Sequence, residues 1–311
     1  MSFYQGLNGP AILMWFAVLG GLMLLNELAR ASKWTGLGMY VVLPAILSFA
    51  LWPRTAGPGT SMNDWFHWMK VYSALAGCVG FWAIRYFPRV EKSPFARYFP
   101  PLILAVNILE AVVRDFQCRG LDGIAGGIPT LGGPWNLMNG IAGIVNIITL
   151  TGWMGIRAGK GRSRDMLWPD QLWFWIVAYD LWNFAYTYNC LSSHSFYCGL
   201  ALLLSCTIPA FLIKKGAWLQ HRASTLGIWC MFAMTYPAFV DSSRFAVKSS
   251  NDPAALFLVS LASLVFNLGV LGYEILVIAR TGRNPLKQEL YTHLRSYKAA
   301  LPAEGPGAAR G

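Results

Sequence analysis

Charged side chains interrupt several apolar stretches of this 311-residue chain, and their chemistry is the most distinctive feature of the sequence. Asp180 stands in the middle of WFWIVAYDLWNFAYTYNC, and Glu110 and Arg114 stand in NILEAVVRDF. Lys70 stands in WFHWMKVYS. Carboxylates and a lysine in apolar surroundings can bind an ion, carry a proton or act as acid and base. These four residues are therefore the first candidates for function.

The spacing of the polar residues places them on shared helical faces. Residues three or four positions apart lie on one side of an α-helix, and Asn107, Glu110 and Arg114 follow this spacing. A stripe of this kind in an apolar helix predicts a polar partner or a water-filled space beside it. The other faces defined in this way hold Asp64, His67 and Lys70; Asn136, Asn139, Gly140, Gly143 and Asn146; Trp173, Asp180 and Asn183, flanked by Tyr186; and Asn267 with Glu274.

The composition predicts that these faces lie in a membrane. The chain is 55% apolar and 13% charged, with a mean hydropathy of +0.43, whereas soluble domains are about 45–50% apolar and about 25% charged. This excludes a soluble enzyme and a disordered protein. It also excludes a nucleic-acid-binding domain, despite the net charge of +11, because the basic residues lie in the loops between apolar runs.

A membrane span needs about 20 mostly apolar residues, because the hydrocarbon layer is roughly 30 Å thick. About nine stretches approach this length, and they predict an all-α fold, a polytopic bundle of transmembrane helices. The predicted spans are Pro10–Leu28, Gly36–Trp52, Trp65–Tyr86, Phe99–Phe116, Trp135–Ile156, Pro169–Cys190, Phe196–Ile213, Trp218–Val240 and Ala255–Ala279.

The distribution of basic residues predicts the orientation of the bundle, because cytoplasmic loops are enriched in Lys and Arg. With nine spans, one side holds 19 of the 25 basic residues and the other holds four. This predicts an N-terminus outside the cell and a C-terminus in the cytoplasm. Residues 1–280 form the predicted membrane domain. In the tail, residues 281–311, we expect a short surface helix followed by a disordered end.

Several residues receive a simpler structural interpretation. We expect no metal or organic cofactor, because the cysteines form no CxxC pair and the histidines form no HxxxH or HExxH motif. Cys190 and Cys198 flank a short outer loop, and the sequence leaves open whether they are bridged. His194 is expected to be a solvated loop residue. His221 and Arg222 are expected to extend toward the inner surface.

The candidate residues are predicted to meet at one depth, between the middle of the membrane and its outer third. Their charges nearly balance, so one interpretation is a buried network that only holds helices together. The other is a hydrated cavity that opens to the outside and binds a solute or passes an ion. The residues assigned to this depth are Lys70, Glu110, Arg114, Asn139, Asp180 and Asn183, with His67 and Asp115 near the rim.

Several sequence blocks resemble a family of uncharacterised bacterial multi-pass membrane proteins. The similarity extends from about the first predicted span to the eighth, and it implies a bacterial inner-membrane location but no activity. No motif of the major facilitator, leucine-transporter or rhodopsin families is present. The blocks are WFHWMKVYSALAG, NILEAVVRDF, GGPWNLMNGIAGIVNI, WFWIVAYDLWNFAYTYNC and SCTIPAFLIKKGAWLQHRA.

The sequence therefore favours a transporter of a small solute or ion, and it leaves open whether transport is coupled to protons or to sodium. An ion channel and an intramembrane enzyme with carboxylate and lysine acid–base chemistry stay open as alternatives. The expected partners are the lipid bilayer and the solute, with self-association through the small-residue face of the fifth span left open. In this hypothesis Asp180 binds a cation or proton; Glu110, Arg114 and Lys70 form a switchable charge network; and Asn139, Asn146 and Asn183 are neutral ligands.

Overall fold

Nine long helices run through the part of the chain that the structure describes, residues 3–125 and 127–301 of a computed structural model. Each helix overlaps one of the predicted apolar stretches, so the all-α prediction is confirmed. The helices are α1 Gly9–Ala31, α2 Lys33–Ala50, α3 Trp65–Tyr86, α4 Pro94–Cys118, α5 Pro134–Ile148, α6 Trp173–Cys190, α7 Tyr197–Leu212, α8 Trp218–Thr235 and α9 Pro253–Thr281.

Short elements connect the long helices. Helices α2 and α7 contain π-helical turns at Gly38–Val42 and Tyr197–Ala201, and short helical segments occur at Trp52–Thr55, Pro88–Lys92, Trp153–Gly155, Ala238–Asp241 and Arg295–Ala300. The described residues also form antiparallel strand pairs. They are β1 Tyr4–Gln5 with β6 Lys248–Ser249, β2 Asp122–Ala125 with β3 Ile128–Leu131, and β4 Arg157–Ala158 with β5 Met166–Leu167.

Local sequence signals fix where several helices begin and end. The side chain of Asn8 accepts a hydrogen bond from the backbone N–H of Ala11 at 2.8 Å, and Asp252 caps α9 in the same way through Ala254. These side chains satisfy N–H groups that have no partner inside the helix. Helix α9 ends at Gly282, whose φ of +65° is a conformation that glycine adopts readily.

The loops gather at two ends of the bundle. At the first end, the hairpin face, strand β1 pairs with β6 and the Ser192 hydroxyl donates to the carbonyl of Pro129 at 2.7 Å. This face comprises residues 51–64, 119–133, 191–196 and 236–252. The opposite end, the basic face, comprises the α1–α2 turn and residues 87–93, 149–172, 213–217 and 282–301. Successive long helices therefore run in alternating directions.

A dense hydrogen-bond network holds the basic face together. Both oxygens of Asp165 accept from the Arg30 guanidinium, at 3.1 and 2.7 Å, and they also accept from Ser163 and Gln220. Arg85 is buried and donates to the backbone carbonyls of Arg30 and Ser163 at 2.8 and 2.6 Å. Burial alone would raise the pKa of Asp165, but these hydrogen bonds and the charge of Arg30 hold it below its ordinary value.

Part of the C-terminal tail is anchored to this face. Asp170 accepts from the backbone N–H groups of Leu290 and Tyr291 at 3.1 and 2.9 Å and from the Thr151 hydroxyl at 2.7 Å. Burial nevertheless raises the pKa of Asp170 above its ordinary value. The short helix Arg295–Ala300 has two buried residues. The predicted disordered end lies at residues 302–311, outside the described residues.

Four of the described long helices, α1, α2, α4 and α9, are long and apolar enough to cross a membrane by length and composition. Helix α7 is apolar but shorter, and α5 has 15 residues, so it spans only about 22 Å. Helix α8 packs against α1, α3 and α7, and 15 of its 18 residues are buried. A helix surrounded by other helices does not face lipid, so it tolerates polar residues that an outer helix would not.

Large apolar side chains cover the outside of the bundle. Leu13 and Phe16 on α1, Phe49 on α2, Phe95 on α4 and Phe266 on α9 are all exposed. Soluble monomers rarely expose such a surface. These helices are therefore compatible with contact to lipid on their outer sides.

The small-residue face of α5 packs within the chain. A Cβ atom added to Gly143 would overlap Val112 of α4 and Trp182 of α6, and one added to Gly140 would press on Phe116 of α4. Glycine at these positions allows the close approach of neighbouring helices. This face is therefore occupied inside the protomer, and self-association of the protein stays a prediction.

Candidate functional site

A cavity of about 50 Å³ lies between α3, α4, α6 and α8. This volume has room for a few water molecules or a small ligand. Of the residues predicted to form the site, His67, Lys70, Asn107, Asn183 and Tyr186 line it. The rest of the wall consists of Met62, Phe66, Tyr179, Thr187, Leu191, His194, Cys198, Arg222, Leu226, Trp229, Cys230, Ala233 and Met234.

The cavity is elongated because it follows one face of α8. Arg222, Leu226, Trp229, Ala233 and Met234 line it at intervals of mostly three or four residues. A rise of 1.5 Å per residue separates the first and last of them by about 18 Å along the helix. Arg222 therefore lies toward the basic face and Met234 toward the hairpin face.

Lys70 on α3 and Asn107 on α4 line one side of the cavity, and Lys70 is paired with Glu110, which does not itself line it. The Lys70 ammonium lies 2.7 Å from a carboxylate oxygen of Glu110 and donates to the backbone carbonyl of Asn107 at 2.7 Å. The Ser73 hydroxyl donates to the same Glu110 oxygen at 3.2 Å. The other Glu110 oxygen, Oε1, is buried without a hydrogen-bond partner. The predicted stripe on α4 thus meets the predicted polar face of α3.

Arg222 forms the end of the cavity nearest the basic face. It is only 4% exposed, and it donates from Nε to the Tyr179 hydroxyl at 3.2 Å and from Nη2 to Asn183 Oδ1 at 3.4 Å. Its third nitrogen, Nη1, is buried without a partner. None of the ion pairs among the described residues includes Arg222. The predicted extension of Arg222 toward the inner surface is wrong, because α8 is a central helix.

Two histidines lie near the hairpin end of the cavity. The rings of His67 and His194 are 5.3 Å apart between centroids, and His194 Nε2 is hydrogen-bonded to the Ser61 hydroxyl at 3.1 Å. His194 is buried, so the prediction of a solvated loop residue is wrong. Burial lowers the pKa of His194 to about 4, and its imidazole is therefore neutral at pH 7.

Asp180 lies beside the cavity but does not line it. Its Oδ2 accepts from the Thr207 hydroxyl at 2.7 Å, and that hydroxyl accepts from the indole N–H of Trp218 at 3.1 Å. The other carboxylate oxygen is buried without a hydrogen-bond partner. Asp180 is close enough to Arg222 to interact electrostatically, but the two side chains form no ion pair.

The predicted cluster of charges is divided into separate groups. Arg114 pairs with Asp64 at 2.9 Å rather than with Glu110 or Asp180. Asp115 is fully buried instead of lying at a rim, and it accepts from Asn136 and Asn139 at 3.2 and 2.8 Å. The Cys190 thiol also donates to Asp115, at 3.2 Å. Cys190 and Cys198 are both free thiols.

The remaining predicted residues lie away from the cavity. Trp173 is 58% exposed at the start of α6. Asn267 donates to the backbone carbonyls of Ala178 and Ser263 at 3.1 and 2.8 Å. Asn139 accepts from Ser263. Asn146 and Glu274 are buried, and neither lines the cavity.

Sequence reasoning missed the contribution of α8. Arg222 follows His221 near the start of an apolar run, a position typical of residues at a membrane interface. His221 is in fact fully buried, with Nδ1 2.8 Å from the side-chain nitrogen of Asn26. A usable signal was the group of five polar residues between Gln220 and Thr225, interrupted only by Ala223, which is too long for an interfacial helix end.

The match to a family covers almost the whole chain. Residues 7–303 match DUF5692, a family of unknown function. The chain belongs to the DUF5692 family. This confirms the predicted relationship to an uncharacterised family, and it assigns no activity to this member. No curated protein and no solved structure matches the chain.

Proposed function

We propose that this DUF5692 member is a membrane transporter of a small solute or ion, and that the solute binds in the cavity between α3, α4, α6 and α8. The observation that carries this proposal is a cavity whose wall contains Lys70, the ion-pair partner of Glu110, and the Arg222 guanidinium. Carriers place their substrate sites at such polar positions between helices.

Unpartnered polar atoms favour binding over a purely structural role. Arg222 and Tyr186 both line the cavity, and Arg222 Nη1 and the Tyr186 hydroxyl are buried without hydrogen-bond partners. Leaving a buried donor or acceptor unsatisfied costs about 1–3 kcal/mol, and more for a charged group. A network that only joined helices would be expected to satisfy these atoms, whereas a bound solute with its water can supply their partners.

The proposed topology has nine membrane spans in a bacterial inner membrane. The basic face lies in the cytoplasm, because the loops there hold most of the Lys and Arg. The hairpin face and the N-terminus lie outside. An impermeant thiol reagent added to whole cells is then expected to label a cysteine placed at the exposed Asn63 and not one placed at the exposed Lys287. The reverse pattern would contradict the orientation.

Asp180 is the proposed site of ion coupling. Its unpartnered oxygen and its position near Arg222 allow it to accept a proton or a sodium ion while a solute occupies the cavity. Protonation would remove a negative charge near Arg222 and change the potential at the end of the cavity. In the proposed cycle, Lys70 and Glu110 separate and pair again as the helices move.

A flux measurement with a filled cavity tests the transporter. Purified protein is reconstituted in liposomes, and charge movement is recorded under imposed pH and potassium gradients with a panel of small solutes. Ala233 lines the cavity, so Ala233→Phe is expected to abolish the movement. Ala254→Phe makes the same change at an exposed position of α9 and is expected to preserve it. Equal flux in both variants would refute a route through this cavity.

The same recordings separate a carrier from a channel. A carrier gives currents that saturate with solute concentration, and Asp180→Asn is expected to remove their dependence on the pH gradient. Currents that rise in proportion to concentration would favour a channel instead.

A further inference from the structure

The charges around the cavity indicate which class of solute it accepts. Resting on the transport function proposed above, we propose that the solute is a small organic monocarboxylate whose carboxylate binds Arg222 and whose apolar part lies along α8. Arg222 is nine-tenths buried or more, lines the cavity and has an unpartnered Nη1. An anion is the ligand that such a group binds best.

Arg222 differs from the other cations nearby because it lacks a carboxylate contact. Lys70 is paired with Glu110, and Arg114 is paired with Asp64. The neighbouring side chains that contact Arg222, Tyr179 and Asn183, are neutral hydrogen-bond acceptors. Asp180 interacts with Arg222 electrostatically but forms no ion pair with it, so the buried guanidinium has no anion in contact, which is costly.

The geometry of the guanidinium favours a planar anion with two oxygens. Tyr179 and Asn183 hold Nε and Nη2, so the orientation of the planar group is fixed while Nη1 is left as a donor. A carboxylate binds arginine through parallel hydrogen bonds. One carboxylate oxygen can accept a hydrogen bond from Nη1. The second can accept from Nη2, which also donates to Asn183.

The remainder of the wall favours an organic body over an inorganic anion. Toward the hairpin face α8 presents Leu226, Trp229, Ala233 and Met234, and Met62 lies opposite in the same wall. A phosphate or sulfate ion needs donors on every side, and on this surface of α8 the indole N–H of Trp229 is the side-chain donor among apolar groups. A short hydrocarbon chain gains about 0.8 kcal/mol for each CH₂ group that it buries. The cavity of about 50 Å³ limits the body to a few carbon atoms.

Binding of butyrate to the purified protein in lipid nanodiscs tests this assignment without a membrane gradient. Butyrate is compared with butyramide and butylammonium, which have the same apolar body, and with acetate and benzoate as shorter and larger carboxylates. We expect butyrate to bind at least about tenfold more tightly than butyramide, because a charge-assisted hydrogen bond contributes that much. Equal binding of butyramide, or no binding by any of the carboxylates, would overturn the proposal.

Variants of Arg222 locate the carboxylate. Arg222→Gln is expected to weaken butyrate binding at least about tenfold, and Arg222→Lys is expected to lose less because it keeps the charge. Thr225→Val changes a buried hydroxyl on the same helix that does not line the cavity, and it serves as the matched control. Unchanged binding in folded Arg222→Gln protein would overturn the proposal.

Two further variants test the sign and position of the charge. Asp180→Asn removes a negative charge near Arg222, so butyrate is expected to bind several-fold more tightly; weakening as large as that of Arg222→Gln would contradict the assignment. Loss of binding in Lys70→Met/Glu110→Gln but not in Arg222→Gln would place the carboxylate at Lys70 and overturn the proposal.

Carboxylate binding without flux would refute the transporter alone, whereas flux without carboxylate binding would refute this inference alone.

Discussion

The basic face and the central cavity both bury arginine, but they satisfy its hydrogen-bond donors to different degrees. On the basic face, Arg85 donates to backbone carbonyls and Arg30 binds both oxygens of Asp165. In the cavity, Arg222 has two long hydrogen bonds to neutral groups and an unpartnered nitrogen. Burial alone therefore does not distinguish a structural arginine from a binding one.

The number of hydrogen-bond donors that have partners therefore distinguishes the two kinds of arginine better than burial does. Each donor that is hydrogen-bonded within the basic-face network contributes to stability, because its acceptor belongs to the folded chain. An unsatisfied donor costs stability and persists most readily where function needs it. We therefore expect substitutions of the ion-paired residues Lys70 and Asp165 to reduce stability more than substitution of Arg222.

The Lys70–Glu110 pair is the buried ion pair beside the cavity. Lys70→Met leaves the buried Glu110 carboxylate without its cation, so we expect the free energy of unfolding to fall by about 3–5 kcal/mol. Adding Glu110→Gln removes the stranded charge and is expected to restore most of this loss. Denaturant unfolding in detergent measures both variants. Wild-type stability in Lys70→Met would show that the pair contributes nothing, and equal losses in the single and double variants would show that the stranded Glu110 charge is not the cause of the loss.

Asp165 should dominate the stability of the basic face. Asp165→Asn keeps the shape of the side chain but weakens its hydrogen bonds with Arg30, and we expect a loss of about 1.5–3 kcal/mol in the free energy of unfolding. Asp122→Asn makes the same change at an exposed residue of β2 and should alter it by no more than about 0.5 kcal/mol. A loss of the same size at both positions would argue against a specific network.

The two buried aspartates of this face should respond to pH with opposite signs. The pKa of Asp165 is lowered in the folded protein, so its stabilisation is present above an unfolded pKa of about 3.9 and is lost as the pH falls below it. The pKa of Asp170 is raised because burial outweighs the hydrogen bonds from Thr151, Tyr291 and Leu290, which favour the carboxylate. Burial of Asp170 against this segment therefore becomes less favourable as the pH rises above an unfolded pKa of about 3.9.

Two readouts check these signs. The difference in stability between the wild type and Asp165→Asn should shrink between pH 5 and pH 3, values that bracket the unfolded pKa of about 3.9. Proteolysis of the segment around Tyr291 should increase with pH in the wild type and stay constant in Asp170→Asn. A constant difference for Asp165, or pH-independent cleavage in the wild type, would contradict the assigned shifts.

Arg222 should show the smallest effect on stability. Because its hydrogen bonds are few and long, Arg222→Gln is expected to change the free energy of unfolding by less than about 1 kcal/mol, or to increase it. Thermal unfolding in detergent, measured beside Asp165→Asn, provides the comparison. A loss as large as that of Asp165→Asn would identify Arg222 as a structural residue.

The sequence alone predicted the long helices because apolar length and loop composition are properties of consecutive residues. It also assigned Lys70 and Glu110 to one depth, because each stands on a polar face that recurs at helical spacing. It did not predict that Arg114 pairs with Asp64, because several carboxylates lie on candidate faces. Choosing among them requires the rotation of each helix about its axis.

The importance of Arg222 depends on where α8 lies in the bundle. The sequence places Arg222 near the start of a helix whether that helix is an outer one or a central one. Only on an outer helix can the side chain reach the membrane interface. The same ambiguity affects Trp173, which was placed at the site and lies exposed at the start of α6. Helix order around the bundle is a tertiary property that no local pattern encodes.

Uptake of radiolabelled butyrate into proteoliposomes tests the central claim most directly. Wild-type protein and Arg222→Gln are reconstituted at equal density, with Thr225→Val as the control for changes in α8. The account predicts saturable uptake by the wild type and the control and loss of uptake by Arg222→Gln. Uptake by Arg222→Gln at the wild-type rate would contradict a transport route that binds its solute at this arginine.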